Sequence, residues 1–218
     1  MPRAARTSAS TVLLIAAMGE STAAVRRVLC LHGRGESGSA FLASPPMQRL
    51  QTACPDVQFE AIDAPLEGSR WWSYPPGTRS YSAPSYEGDA ESIALVEAQL
   101  IRRRFDGLLG FSQGAMLAAL VAARASLGES EVDLRFVVMC GAATPAPHDQ
   151  LLTRLRDTAH SIPTLHCLSA VDRINPPESG ERLALCFQNA EIFWHDAGHT
   201  VPATDVGVAH VAAFIRRN

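Results

Sequence analysis

The chain has 218 residues, 47% of them hydrophobic and 19% charged, with a formal net charge of −3. This is enough apolar mass for one substantial core, and an α/β layer fold of this length is expected to form a single domain. A weakly acidic balance without long like-charge runs gives no footprint for nucleic acid, and no window of about 18 uncharged apolar residues could span a bilayer. A protein acting on something small is expected.

Residues 1–25 read as an N-terminal extension. They carry Arg3 and Arg6, no acid before Glu20, and the apolar run TVLLIAAM, which fits a transit peptide, a weak secretory signal or a disordered segment. From Arg27 onward, short β-rich runs alternate with helical stretches. The expected strands are Val28 to Leu31, Val57 to Ile62, Gly107 to Phe111, Leu134 to Cys140, Pro163 to Ser169 and Glu191 to His195. Expected helices lie near Pro46 to Ala53, Asp89 to Arg104, Gln113 to Ala125, Asp149 to Ala159, Glu178 to Gln188 and Asp205 to Arg217. Continuous apolar strands separated by helices predict a mostly parallel sheet of about six strands, covered on both faces, over residues 26–218.

One linker breaks this rhythm. Residues 64–88 hold four prolines, the adjacent Trp71 and Trp72 and all three tyrosines, and they are too many for an ordinary strand-to-helix connection. Because disordered segments are poor in aromatics, an ordered cap near the active end of the sheet is expected. Trp71 and Trp72 are then candidates to bind an acyl chain, against the plainer reading that one is core and the other anchors the loop.

Cys30, Cys54, Cys140, Cys167 and Cys186 are odd in number and lack CxxC spacing. They read as small buried hydrophobes in a reducing compartment rather than as disulfides or zinc ligands. A cytoplasmic location is expected, or an organelle if residues 1–25 act as a transit peptide.

In an open parallel sheet, reactive groups gather at the carboxyl ends of strands. Four segments fall there: LHGRGES, GFSQG, AVDRINP and HDAGHTVP. GFSQG fits the nucleophile elbow G-x-S-x-G, directly after an apolar strand and before a helix-forming run, which makes Ser112 the candidate nucleophile. The competing reading is a serine that only caps the helix. A base and an orienting acid should follow in the order Ser, Asp or Glu, His. His199, on the loop after the last strand, is the candidate base, whereas His195 and His210 read as packed or solvated residues. Asp172 is the preferred acid over Glu178 and Glu181 in the helix beyond, and over Asp196, which is too close to His199 along one tight loop. The backbone amides of Gln113 and Arg34 are candidate donors to an oxyanion, with His32 a structural hydrogen-bonder.

LHGRGESG, IDAP, RWW, SYEG with the ES-containing helix after it, FDGLLGFSQGAMLAAL and GHTVP together resemble the small serine hydrolases of the fungal "family of serine hydrolases" type, which include an ovarian-cancer-associated hydrolase of animals. The resemblance runs from Val28 to Ile215, and its most specific part is FDGLLGFSQGA. The acid loop departs from it, reading SAVDRIN where many relatives have GxxDxxVP. The resemblance implies an α/β-hydrolase fold, no metal or organic cofactor, a small-molecule ester or thioester as substrate, and a triad of Ser112, Asp172 and His199. Acyl-protein thioesterase or lysophospholipase activity is the alternative within enzymes. A scaffold that binds an acyl ligand without turning it over is the alternative outside them.

Overall fold

The computed structural model describes residues 25–218, so the expected extension, apart from Val25, lies outside the described residues. The chain runs β1 (Arg26–Leu31), α1 (Gly38–Ala43), α2 (Pro45–Ala53), β2 (Val57–Ile62), α3 (Asp89–Arg103), β3 (Gly107–Phe111) and α4 (Gln113–Ser126). It continues through β4 (Phe136–Cys140), α5 (Asp149–Arg156), β5 (Thr164–Ser169), α6 (Pro177–Ala184), β6 (Ala190–His195) and α7 (Asp205–Arg217). The six strands form one sheet in the order β2-β1-β3-β4-β5-β6, and every pairing is parallel. This is an α/β fold of the kind the alternating pattern predicts.

Strand periodicity divides the core. Along β1, Leu29 and Leu31 face one layer while Val28 and Cys30 face the other. The first layer is built with α3, α4, α5 and α6, and the second with α1, α2 and α7. Strands buried on both faces have no polar side to show, which is why GLLGF and FVVMC read as unbroken apolar runs. The central helix α4 is buried from Gln113 through Ala123, and its many alanines let it lie close on β3 and β4.

Expected and observed elements differ mainly at their ends. Helix α5 stops at Arg156 rather than Ala159, and α6 at Ala184 rather than Gln188. Helix α1 was not expected: it has six residues, and it is held by a local cap, Ser37 Oγ accepting from Ala40 N, and by a tertiary bond, Asp63 Oδ1 accepting from Gly38 N at 2.7 Å. All five cysteines are free, four of them buried, and burial pushes the Cys30 thiol up. Among the described residues no helix is long and apolar enough to cross a membrane.

The strand order fixes where chemistry can gather. The chain leaves β1 on one side for β2 and returns on the other for β3, so the loops after β1 and β3 part and open a crevice at the carboxyl edge.

One buried group gives the fold a pH dependence. His166, on β5, is fully buried beside Phe187, with Nε2 3.2 Å from Thr164 Oγ1 and no partner for Nδ1 among the described residues. Desolvation pulls its pKa from 6.5 down to about 3. Between those values the unfolded chain binds more protons than the folded one, so stability falls as pH drops below 6.5, by up to about 1.4 kcal/mol per pH unit. His166→Leu should remove that slope. Urea unfolding at two pH values, one neutral and one about 1.5 units below the unfolded pKa, should show a loss about 2 kcal/mol smaller in the variant than in the wild type. Equal losses would mean that His166 does not titrate on unfolding.

Candidate active site

The site is built around a sharp turn. Ser112 joins β3 to α4 with φ 55° and ψ −118°, a backbone region that non-glycine residues rarely enter and that persists only where the surroundings enforce it. Its amide donates to Cys140 O at 2.9 Å, and its carbonyl accepts from Ala115 N at 3.0 Å and Met116 N at 3.1 Å. The flanking glycines are required by space: a Cβ on Gly110 would lie 2.4 Å from Gly114 O, and one on Gly114 would lie 2.4 Å from Leu31 O. Ser112 makes no side-chain cap bond to α4, so its hydroxyl is free for another partner.

That partner is His199. Ser112 Oγ lies 2.8 Å from His199 Nε2, and His199 Nδ1 lies 2.7 Å from Asp172 Oδ2. The Asp172 side chain is only 4% exposed, and its other oxygen accepts from Ile174 N at 2.8 Å and Asn175 N at 3.0 Å. With the carboxylate accepting from Nδ1–H, Nε2 is left as the acceptor for the serine hydroxyl. The Phe111 ring sits 5.0 Å from the imidazole, and a side chain at Gly141 (φ 62°) would press on it at 3.2 Å.

The competing residues lie elsewhere. His210 packs against Glu191 and stacks on Phe193, and His195 is half-buried with Nδ1 accepting from Ala197 N. Burial lowers the pKa of His195 against the opposing pull of Asp196 and Asp172. Glu178 and Glu181 sit on α6. Two supporting residues carry no signal of their own in the sequence. Asn175 Nδ2 donates to Gly141 O at 2.7 Å, tying the Asp172 loop to the end of β4, and Ser169 Oγ accepts from Gly198 N at 3.1 Å, tying the end of β5 to the His199 loop. Asn175 falls inside the AVDRINP segment but was not singled out there.

The loop after β1 has its own lock. His32 is fully buried; its Nε2 accepts from Ala64 N at 3.0 Å, so Nδ1 carries the proton toward Gly33 O at 2.7 Å. The next residue but one, Arg34, turns its side chain to Tyr74, with Nη1 3.3 Å from the phenol oxygen and the guanidinium 5.3 Å from the ring centre. Gln113 heads α4, where the first amides of a helix have no intrahelical acceptor. Arg34 and Gln113 both line the cleft onto which Ser112 opens.

The expectation for the two tryptophans is corrected. Trp71 and Trp72 are 0% exposed, and neither lines the cleft. The indole N–H of Trp71 donates to His32 O at 2.9 Å, and Trp72 stacks on Tyr86 with ring centres 4.6 Å apart. A large ring in this loop gains more from the core cluster around α3 and α4 than from the mouth of a wet cleft. The loop reaches the cleft instead through Tyr74, Arg79 and Ser80.

Gln113 holds this loop in place. Its Oε1 accepts from Trp71 N at 3.0 Å and its Nε2 donates to Trp72 O at 2.9 Å, while Ser92 Oγ donates to Trp71 O. Gln113→Leu would leave a buried N–H and a buried C=O unpaired, each costing about 1–3 kcal/mol. Lower stability in urea and faster hydrogen exchange at the Trp71 amide are the expected outcomes. Wild-type exchange at that amide would remove Gln113 from the anchoring role.

A wholly parallel sheet with helices on both faces and a strained serine elbow at its switch point defines an α/β-hydrolase. The chain belongs to the family described as Serine hydrolase (FSH1), which matches residues 22–211. It is 32% identical over 208 residues to the human esterase OVCA2, covering 81% of this chain and 89% of that protein. It is also 32% identical over 209 residues to the esterase C25G4.2 of Caenorhabditis elegans, covering 87% and 92%. Among solved structures, esterase PE8 superimposes with a TM-score of 0.69 at 23% identity, over 88% of this chain and 92% of that one. Arabidopsis thaliana SOBER1 does so with a TM-score of 0.63 at 19% identity, over 88% and 98%. These two likenesses bear on the fold, and membership of the family makes the protein a serine hydrolase.

Proposed function

We propose that this hydrolase cleaves carboxylic esters or thioesters through an acyl-serine intermediate, with Ser112 as nucleophile, His199 as base and Asp172 as the acid that orients it. The observation that carries this reading is the unbroken hydrogen-bonded line from Asp172 through His199 to Ser112, 2.7 and 2.8 Å, ending at an elbow that faces a cleft of about 560 Å³.

The steps follow from this geometry. As Ser112 Oγ bonds to the carbonyl carbon, its proton passes to His199 Nε2, and Asp172 stabilises the imidazolium that forms. The former carbonyl oxygen becomes an oxyanion, for which the amides of Gln113 and Arg34 are the donors in this reading. Each well-placed donor is worth about 3–4 kcal/mol to such a transition state. Collapse breaks the carbon–oxygen or carbon–sulfur bond, and the departing alcohol or thiol takes the proton from His199. Water then attacks the acyl carbon while giving a proton to Nε2, and the second collapse frees the acid and returns that proton to Ser112 Oγ. With water as the co-reactant, every bond and proton in these steps is accounted for.

Phe111, Met116 and Ile174 supply the apolar lining against which an acyl chain would lie. Without Trp71 and Trp72 in that lining, the selection of chain length rests on these smaller surfaces.

Ser112→Ala should abolish ester turnover and labelling by a fluorophosphonate while leaving the thermal unfolding transition in place. Asp172→Asn should lower turnover by about 10⁴-fold, because the imidazole would then be held in the wrong tautomer. Glu178→Gln should change turnover little. p-Nitrophenyl esters measure all three, and near-wild-type turnover by Ser112→Ala would overturn the assignment.

A further inference from the structure

The cleft beside Ser112 has a chemically mixed lining. Phe111, Met116 and Ile174 contribute carbon to it, whereas Arg34 and Arg79 contribute two guanidinium-bearing side chains and Tyr74 and Ser80 two hydroxyls. The chain contains no lysine, so every fixed cation is an arginine, whose planar fork matches a carboxylate in two hydrogen bonds.

Many arginines of this protein are committed to acids of the chain itself. Arg27 pairs with Glu60, Arg124 with Glu97, Arg154 with Glu129 and Arg217 with Glu191. Arg34 and Arg79 have no carboxylate within 4.0 Å among the described residues. Arg34 is held by its contacts with Tyr74, a bond that uses one of its five N–H donors. Glu36 also lines the cleft, so two cations face one acid there. Asp172 does not neutralise them, because both of its oxygens are taken by His199 and by the amides of Ile174 and Asn175.

We propose that the substrate is an ester or thioester that itself carries a carboxylate, which Arg34 and Arg79 hold while the scissile carbonyl lies against Ser112. The proposal rests on the hydrolase reading above and narrows it. A single exposed cation gains little from a counter-ion in open water, but two lining one cleft that also has apolar lining favour a ligand with a short carbon spacer and an anionic end. The preference is therefore salt-sensitive. The carboxylate can belong to the acyl part or to the leaving group, and each source has its own substrate.

The test uses the full chain and two matched pairs of esters. For the acyl side, mono-p-nitrophenyl glutarate is compared with p-nitrophenyl butyrate. For the leaving-group side, 3-carboxyphenyl acetate is compared with phenyl acetate. In at least one pair, kcat/KM for the anionic ester should exceed that for the neutral one. Arg79→Glu should lower this ratio by about tenfold, the scale of one charge-assisted contact, and Arg79→Gln and Arg34→Gln by less. The ratio should also shrink at high salt. Because the neutral ester is measured in the same variant, a site that fails to assemble lowers both rates and is told apart from lost recognition. A wild-type ratio at or below one in both pairs, or a ratio that Arg79→Glu leaves unchanged, overturns the proposal. If the wild type turns over none of the four esters and Ser112 resists a fluorophosphonate, the hydrolase reading falls first and takes this inference with it.

Discussion

The active end of this protein depends on how closely α4 approaches the loop that follows β1. Gly114 lies so near Leu31 O and His32 O that a single methyl group there would sit about 2.4 Å from backbone, which neither side can yield. Gly110 meets the first turn of the same helix at the same distance. These two contacts force the chain through a left-handed φ at Ser112, and eleven buried residues of α4 hold it there against the strain. The hydroxyl is thereby left outside the helix's own hydrogen bonding and open to His199 Nε2.

A second consequence of that approach is that the elbow and the long loop share their supports. His32 O receives the indole N–H of Trp71, and the side chain of Gln113 brackets the backbone of Trp71 and Trp72. Gln113 thus heads α4 with its backbone while its carboxamide holds the long loop at residues 71 and 72. The loop is tied to the same few atoms that set the serine, so Tyr74 and Arg79 stand in a defined relation to it.

What was legible in the sequence was what is local. GFSQG sits between an apolar strand and a small-residue helix, and the chain order of serine, acid and histidine matches the order in which the strands end. The strands were placed to within two residues because burial on both faces leaves continuous apolar runs. The tryptophans were misread because composition reports that a loop is aromatic but not which way its rings turn. That direction is decided by His32, 39 residues away, and by Tyr86 across the loop. Asn175 and Ser169 were missed for a similar reason, since a small polar residue in a loop acquires a role only when Gly141 or Gly198 is brought to it. Helix α1 was missed because six residues make too short a pattern.

The burial pattern also separates what the protein must keep from what it can vary. Ser112, His199 and Asp172 are fixed by backbone: the elbow, the amides at 174 and 175, and the glycines at 141 and 198. Altering any of these shifts Ser112, His199 or Asp172. Arg34 and Arg79, by contrast, are exposed side chains on a rim whose backbone is held by other residues, chiefly His32, Trp71 and Gln113. A change in their charge therefore acts on what enters the cleft without passing through the geometry of the relay. In the proposed reading, substrate choice falls to side chains that the core does not need, while the core holds the line from Asp172 through His199 to Ser112 rigid.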